Sequence, residues 1–254
     1  MRIILSGCGG AMGRAITARA QDFEGCEIVA GIDPNGPVLL TPPYPVFQAA
    51  GACDVQADVI IDFSNPGALE DLLELAQRTE LPLVLCTTGY SDDQVAQIKA
   101  AAEHLPLFFS FNMSLGINLM CALAKTATRV LGNQFDVEII EKHHRRKIDA
   151  PSGTAIMLAG AVGEGLHTTP EYVHERHSKR QPRGKNEIGI HAIRGGTIVG
   201  EHELLFAGQD ETLSITHTAY SKEVFATGAL SAARFMQGKH PGLYDMNNLI
   251  ADIH

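Results

Sequence analysis

Residues 2–14 of the chain read RIILSGCGGAMGR. The apolar residues Ile3 to Leu5 predict a buried strand, and the run from Ala11 to Gln21 predicts a helix. A glycine-rich turn at such a junction lets the backbone approach a pyrophosphate, which the free N–H groups of the helix start attract. The spacing departs from GxGxxG because Met12 stands at the third glycine position. The turn indicates a dinucleotide site, although a tight glycine turn is also compatible with a purely structural role.

An acidic residue at the end of the second predicted strand strengthens this interpretation. The strand runs from Glu27 to Ile32, and Asp33 follows 20 residues after Gly13. A carboxylate at this place accepts hydrogen bonds from the adenosine ribose; the alternative is an ordinary turn residue before Pro34. The carboxylate also repels a 2′-phosphate, and neither Pro34 nor Asn35 offers a positive charge. We therefore expect NADH to serve at least as well as NADPH.

Short apolar runs alternate with longer amphipathic runs through the first half of the chain. Strands and helices are predicted in turn at residues 58–63, 68–77, 83–86, 91–103, 105–111 and 117–131. This alternation indicates a parallel sheet covered on both faces. Such sheets bind ligands at the carboxyl ends of their strands, where this chain has Cys86-Thr87-Thr88 and Ser110-Phe111-Asn112-Met113.

A different pattern begins after about residue 132. We predict a strand, a helix, a long loop, three strands and a final helix at 137–141, 154–162, 167–186, 187–193, 197–206, 212–218 and 224–236. Gly195-Gly196 and Gly208-Gln209-Asp210 look like turns between these three strands, so we expect an antiparallel sheet. The final helix is expected to pack back on the first domain. The predicted fold class is α/β for the first domain, followed by a second domain of a different, antiparallel architecture.

Composition limits the classes of ligand. The chain has 254 residues, 45% hydrophobic and 19% charged, with a formal net charge of −9. An acidic chain without a long basic tract is a poor candidate for nucleic acid or an anionic membrane. The five cysteines form no CxxC pair, and no apolar run approaches the length of a membrane span. We expect a cytoplasmic protein with reduced thiols, in which a local cluster of positive charge holds any anionic ligand.

The most unusual stretch lies at residues 141–155, EKHHRRKIDAPSGTA. All six residues from Lys142 to Lys147 can carry positive charge, and Ser152-Gly153-Thr154 opens a predicted helix. Hydroxyls and free N–H groups at a helix start bind carboxylate or phosphate, and histidine exchanges protons near neutral pH. The spacing lacks a metal motif such as HExxH, the GxSxG elbow of a serine nucleophile and the interleaved aromatics of a nucleic-acid site. The residues alone leave an anion site and a solvated charged face both open.

The segment EIIEKHHRRKIDAPSGTA, residues 138–155, resembles the characteristic segment of the 4-hydroxy-tetrahydrodipicolinate (dihydrodipicolinate) reductases. Further matching motifs are GxGGxMGR at 7–14, TTG at 87–89, NxSxGxN at 112–118 and RGGTIVGEH at 194–202. The resemblance runs over essentially the whole chain in the right order. It implies a Rossmann-type dinucleotide-binding domain at residues 1–113 plus 224–254. It also implies a second, mixed α+β domain at 114–223 for substrate binding and tetramerisation, whose sheets pack into a homotetramer.

The resemblance also implies site residues. His143 matches the proton donor and Lys147 the catalytic lysine, while the substrate contacts match His144, Ser152, Gly153 and Thr154. The positions that match cofactor contacts are Gly7, Cys8, Gly9, Gly10, Ala11, Met12, Asp33, Cys86, Thr87, Thr88, Ser110, Phe111, Asn112 and Met113. No metal is implied. Cys86 and Phe111 depart from the glycine and the small residue expected there, and Pro34 replaces an arginine that sometimes follows the ribose-binding acid.

The implied activity is the NAD(P)H-dependent reduction of 4-hydroxy-tetrahydrodipicolinate, by way of dihydrodipicolinate, to tetrahydrodipicolinate in diaminopimelate and lysine biosynthesis. Hydride would reach the conjugated ring carbon, and His143 would supply a proton. One alternative is another two-domain dehydrogenase acting on an amino-acid-derived carbonyl, which would not need the basic cluster. Another alternative is a regulatory protein that senses a dinucleotide without catalysis.

Overall fold

The computed structural model describes residues 1–36, 42–166 and 168–252. Two compact units are formed, one from Met1–Leu115 with Lys222–His254 and the other from Gly116–Ser221.

The strands are β1 (Arg2–Ser6), β2 (Glu27–Ile32), β3 (Val46–Phe47), β4 (Val59–Asp62), β5 (Leu83–Leu85), β6 (Pro106–Phe109), β7 (Asp136–His143), β8 (Glu171–Val173), β9 (Glu187–Arg194), β10 (Gly200–Ala207), β11 (Thr212–Ala219) and β12 (Gly242–Tyr244). The helices are α1 (Ala11–Gln21), α2 (Leu69–Thr79), α3 (Asp92–Ala101), α4 (Leu115–Leu131), α5 (Gly153–Gly165), α6 (Glu223–Phe235) and α7 (Met246–Asp252). Within these ranges no helix combines the length and apolarity that crossing a membrane demands.

The first unit is built on a seven-stranded sheet in the order β12-β6-β5-β4-β1-β2-β3. Every neighbouring pair in it is parallel. The predicted parallel α/β sheet is therefore confirmed. The two-residue β3, the three-residue β12 and α7 were not predicted, because each is too short for a periodic pattern to identify it.

Both faces of this sheet are covered, which explains why its strands are continuously apolar. Ile3 and Leu5 pack on one face with residues of α1 and α6, such as Ile16 and Leu230. Ile4, between them in sequence, packs on the other face in the core that α2 and α3 complete. The expected return of the final helix to the first sheet is confirmed, because α6 packs against α1, β4 and β5.

The second unit contains a five-stranded sheet in the order β11-β10-β7-β9-β8. β10 is antiparallel to β7 and β11, whereas β7 and β8 are both parallel to β9. The sheet is therefore mixed, and the expectation of an antiparallel sheet was wrong. The expectation that this domain combines helices and strands is confirmed, because α4 and α5 belong to the same unit. The predicted loop at 167–186 also contains β8, a strand of only three residues, while residue 167 itself lies outside the described residues.

The error has a physical cause at Gly195-Gly196. This turn does not join neighbouring strands, because β7 lies between β9 and β10. The Gly195 amide donates to the His143 carbonyl (2.9 Å), and the Gly196 carbonyl accepts from the Arg145 amide (3.3 Å). The connection thus crosses the carboxyl end of β7. The Gly208 turn, in contrast, joins β10 to its antiparallel neighbour β11 as predicted.

Candidate functional site

The glycine turn after β1 is tightly packed against backbone. Gly7 has φ +74°, and a Cβ added there would lie 2.4 Å from the Phe63 carbonyl oxygen. A Cβ on Gly13 would lie 2.3 Å from the Gly7 carbonyl oxygen. Gly10 is the N-cap of α1 and supplies no side-chain cap to the helix. The turn therefore presents bare backbone at a helix start, and this cradle fits the pyrophosphate of a dinucleotide.

Asp33 lies against this turn. Its side chain is buried, with Oδ2 accepting from the Gly9 amide (3.0 Å) and Oδ1 from the Asn35 amide (3.0 Å). The structure thus brings together the predicted glycine turn and the predicted ribose-binding acid. The nearest residues along the chain, Pro34 to Gly36, add no cation at this place.

The carboxyl ends of β5 and β6 carry the other predicted cofactor contacts. Cys86, Thr87 and Met113 are buried, whereas Phe111 is 61% exposed. Phe111 packs edge-on against Phe109, with ring centroids 4.7 Å apart. The core therefore takes up the Cys86 and Met113 side chains, and Phe111 stays available at the surface of this unit.

Sequence reasoning missed a buried acid in the same region. The fully buried Asp62 ends β4 and accepts hydrogen bonds from the Ser64 amide (3.0 Å) and the Tyr90 hydroxyl (3.3 Å). An acid that closes an apolar strand run was the available signal, as it was for Asp33. Its contacts organise the loop that follows β4.

The chemical cluster of the second unit is centred on Glu141, a fully buried carboxylate on β7. Arg194 of β9 binds it with both terminal nitrogens, Nη1 to Oε2 and Nη2 to Oε1, each at 2.7 Å. The Nδ1 atom of His143 lies 2.6 Å from Oε2, and the Ser152 amide donates to Oε1 at 3.0 Å. Burial would raise the pKa of Glu141, but these hydrogen bonds hold it below its usual value. Glu141 is therefore an anion at neutral pH.

His143 ends β7 on the same face of the sheet. The residue is 9% exposed, and its ring packs edge-on against the ring of His202, at a centroid distance of 5.2 Å. Burial lowers the pKa of His143, Glu141 opposes that shift, and the charges of Lys147 and Arg194 add to it. His143 is therefore a titratable group whose neutral form is favoured when no ligand is bound.

The remaining basic residues of this segment differ in their surroundings. Lys147 pairs with the exposed Asp149 at 2.8 Å, and His144 has a buried Nδ1 atom without a hydrogen-bond partner. Lys142 points to the opposite face of the sheet from Glu141 and His143 and pairs with Glu201. The structure thus separates Lys142 from the residues predicted to be functional.

Ser152 is the N-cap of α5. Its buried hydroxyl accepts from the Ala155 amide (3.2 Å) and lies 3.0 Å from Nε2 of His202. These contacts assign the hydroxyl to the helix cap. Gly153 follows at the first helical position, where an added Cβ would meet nothing within 4 Å. The open helix start suits an anion, because the first N–H groups of a helix have no partner inside it.

Three members of this cluster were not predicted as site residues, namely Glu141, Arg194 and His202. Burial strongly affects His202 and, together with the charge of His143, lowers its pKa to about 4. All three lie within motifs that carried the family resemblance. Nothing in the local sequence indicated that Arg194 would reach a partner 53 residues away.

Two family models match the chain almost from end to end. The model described as "Dihydrodipicolinate reductase, N-terminus" matches residues 1–113, and "Dihydrodipicolinate reductase, C-terminus" matches residues 116–250. The chain belongs to the dihydrodipicolinate reductase family. The predicted resemblance is confirmed, and so is the prediction that the chain is an oxidoreductase.

Curated relatives and a solved structure agree with this family. A 4-hydroxy-tetrahydrodipicolinate reductase from Clostridium novyi (strain NT) is 49% identical over 249 residues, 98% of each chain. One from Staphylococcus epidermidis (strain ATCC 12228 / FDA PCI 1200) is 45% identical over 249 residues, 98% of this chain and 100% of the relative. A dipicolinate-bound dihydrodipicolinate reductase from Paenisporosarcina sp. TG-14 superposes with a TM-score of 0.82 at 26% identity, covering 97% of this chain and 98% of that one.

More distant structures share the fold alone. An amine dehydrogenase from Mycobacterium smegmatis superposes with a TM-score of 0.64 at 14% identity, over 98% of this chain and 95% of its own. The curated relatives are named as reductases, which gives the regulatory alternative no support.

Proposed function

We propose that this enzyme reduces 4-hydroxy-tetrahydrodipicolinate, by way of dihydrodipicolinate, to tetrahydrodipicolinate in diaminopimelate and lysine biosynthesis. The observation that carries the proposal is that one buried carboxylate, Glu141, binds both the His143 imidazole and the Ser152 amide at the start of α5. A proton donor and an anion-binding helix start are thereby fixed together, as reduction of a cyclic dicarboxylate requires. The names of the curated relatives support the substrate, as does the dipicolinate bound to the related solved structure.

The first unit supplies the dinucleotide site in this proposal. The glycine turn from Gly7 to Met12 holds the pyrophosphate, Asp33 the adenosine ribose, and the strand ends at Cys86–Thr88 and Ser110–Met113 the nicotinamide side. When bound, the reduced nicotinamide supplies the hydride. NADH serves at least as well as NADPH, because Asp33 repels a 2′-phosphate and Pro34 and Asn35 carry no charge. Initial rates that strongly favour NADPH would contradict this preference.

The second unit supplies the substrate contacts. One carboxylate binds at the start of α5, at Gly153 and Thr154, and His144 contacts the substrate. Lys147 binds the other carboxylate. Its partner in the free enzyme, Asp149, is 60% exposed, and a solvated ion pair of this kind contributes at most about 1 kcal/mol. A substrate carboxylate therefore displaces Asp149 at little cost.

The proton chemistry falls to His143. Loss of water from the 4-hydroxy compound gives a conjugated imine, and hydride addition to its ring carbon leaves an electron-rich enamine. Protonated His143 donates to carbon, while Lys147 keeps positive charge near the developing negative charge. The substrate dianion raises the pKa of His143, which burial lowers in the free enzyme. We expect kcat/KM to fall as pH rises above that lowered pKa, because the acid form is then lost.

Substitutions of three residues test the proposed roles. His143→Ala should lower kcat about 10²–10⁴-fold, as loss of a general acid does, without weakening NADH binding. Lys147→Ala should lower kcat/KM for the substrate with NADH binding retained. Lys142→Ala removes a lysine of the same segment on the other face of the sheet and should leave both values near wild type. Equal losses in Lys142→Ala and Lys147→Ala would contradict the assignment.

Assembly and location complete the proposal. The sheet face of the second unit that carries Lys142 also carries Ile140, Leu205 and the 46% exposed Ile193. Sheets pack through such faces, and the family resemblance implies a homotetramer that does so. Light scattering of purified protein should give the mass of four chains, and a monomer mass would contradict this assignment. The free cysteines agree with a reducing cytoplasm.

A further inference from the structure

We infer that Glu141, charge-balanced by Arg194, is the positioning residue that fixes which ring nitrogen of His143 transfers the proton. The same carboxylate also fixes the distance between that imidazole and the anion-binding start of α5. The inference rests on the proposed function, in which His143 is the acid and α5 binds a substrate carboxylate. It goes further by assigning roles to two residues that touch neither substrate nor cofactor.

The hydrogen bonds of Glu141 leave little freedom to the groups around it. Its fully buried carboxylate receives two bonds from Arg194, one from His143 and one from the Ser152 amide. An ion pair that only stabilised the fold would need no contact with the imidazole or the helix start. Two of the four bonds instead reach the proton donor and the anion site, so a shift of this carboxylate moves both.

The bond to Nδ1 determines the tautomer of His143. An ionised carboxylate only accepts hydrogen bonds, so Nδ1 must carry a hydrogen. The exchangeable proton of the imidazolium is then the one on Nε2, which lies on the side of Gly200, 3.2 Å from the place of a Cβ on that residue. Arg194 keeps Glu141 ionised although it is buried, so the proton stays on the imidazole. The other charged or titratable groups that face the ring are Lys147 and His202.

The hydrogen bond from the Ser152 amide connects the carboxylate that fixes this tautomer to the start of α5, where the substrate carboxylate is proposed to bind. Ser152 caps α5 with its hydroxyl, so its backbone position sets where the first N–H groups of the helix point. Glu141 therefore determines the separation of the acid and the bound carboxylate. A side chain one methylene shorter, as in Glu141→Asp, keeps the charge but cannot reach all four donors.

Glu141→Gln is the sharpest perturbation, because it preserves shape and removes charge. At the place of Oε1 the amide nitrogen would meet two donors, the Ser152 amide and Nη2 of Arg194. At the place of Oε2 it meets Nη1 of Arg194 and Nδ1 of His143, and Nδ1 can become the acceptor. The second orientation is therefore favoured, and it moves the imidazole hydrogen to Nε2. We expect kcat to fall between about 10²- and 10⁴-fold, the range from a lost general acid to a wrong histidine tautomer. The pKa that governs the pH profile should fall further, because an anion near the imidazolium is gone, while NADH affinity stays unchanged. Glu141→Asp should recover part of kcat and most of the wild-type pH profile.

Glu138→Gln is the matched control. Glu138 lies on the same strand and binds Arg176 (3.2 Å), Arg183 (3.0 Å) and His191 (2.8 Å), a comparable arginine and histidine network. It points to the opposite face of the sheet from His143. The Glu138→Gln substitution should lower the free energy of unfolding and leave the pH profile of kcat unchanged. The same change of profile in both variants would overturn the inference.

Nitrogen NMR of the imidazoles in the substrate-free enzyme tests the tautomer directly. His143→Gln identifies the His143 signals. We expect a neutral His143 protonated on Nδ1 in the wild type and on Nε2 in Glu141→Gln. A wild-type His143 protonated on Nε2 would overturn the inference even if Glu141→Gln failed to fold. This measurement needs no turnover, so a failed substrate assignment stays distinguishable from a failed positioning role.

Discussion

Gly13→Ala should damage the dinucleotide site, because the added methyl has nowhere to go. Its carbon would lie 2.3 Å from the Gly7 carbonyl oxygen and 2.6 Å from both Cα and the carbonyl oxygen of Cys8. An ordinary contact is 3.4–4 Å, so the turn must retreat by roughly 1 Å. Every close atom belongs to backbone, so no side-chain rotation relieves the overlap.

Gly7 cannot absorb the movement. Its amide donates to the Ile32 carbonyl at 2.8 Å, and the Phe63 carbonyl oxygen lies 2.4 Å from the place of a Cβ on Gly7. The shift therefore passes into the segment from Cys8 to Gly10, where the Gly9 amide donates to Asp33 (3.0 Å) and the Gly10 amide donates to the Gly7 carbonyl (3.1 Å). The proposed function places the pyrophosphate on this segment. Overpacking of this kind costs about 1–3 kcal/mol of folding stability. A 1 Å misplacement of positioned groups can cost an enzyme about 10²-fold in rate, and we expect NADH affinity to fall by a factor of the same order.

Fluorescence titration with NADH and thermal unfolding together test this prediction. Gly51→Ala is the control in the same unit, because a Cβ there meets nothing within 4 Å. It should match the wild type in both assays. A Gly13→Ala protein that binds NADH within twofold of wild type, with an unchanged melting temperature, would refute the packing argument for the turn.

Three further predictions concern stability and cofactor choice. Gly160 lies inside α5, and an added Cβ there meets nothing within 4 Å, so Gly160→Ala should stabilise the protein by about 0.5–1 kcal/mol in urea unfolding. Gly165→Ala should destabilise it, because the added Cβ would lie 2.7 Å from Cβ of Thr128. The opposite order of stabilities would contradict the packing of this helix. The pKa of His202 is lowered to about 4 in the folded protein, so on acidification the unfolded chain binds this proton first. The free energy of unfolding should therefore fall by roughly 3 kcal/mol as pH drops from 6.5 toward 4. A His202→Gln variant that loses as much stability over the same range would disprove this contribution. Asp33→Ser should raise kcat/KM with NADPH relative to NADH, and an unchanged ratio would show that Asp33 does not face the ribose.

The first sheet could be predicted because the pattern that identifies each of its elements lies within a few consecutive residues. Each strand is an apolar run buried on both faces, as the complete burial of Ile3, Ile4 and Leu5 shows, and each helix carries its own period. The glycine turn and Asp33 were found for the same reason. Only the edge strands β3 and β12, of two and three residues, and the seven-residue helix α7 were not predicted, since such short elements carry no clear periodic pattern.

The second sheet could be predicted only in part, because its order depends on long-range contacts. The glycines at 195–196 indicated a turn correctly, but only the bonds of that turn to His143 and Arg145 show that it crosses β7. The polar cluster around Glu141 could likewise be predicted only in part, because it too depends on contacts between residues far apart in sequence. The sequence identified His143 as a candidate, yet its orientation depends on Glu141 and on Arg194, which joins from a distant strand.

The most direct test of the central claim is NADH oxidation by the purified enzyme, with substrate made in situ from pyruvate and aspartate semialdehyde by the preceding synthase. The account predicts a substrate-dependent loss of NADH absorbance that is abolished in Lys147→Ala and retained in Lys142→Ala. No turnover with either NADH or NADPH, in folded protein that still binds one of them, would contradict the proposed substrate.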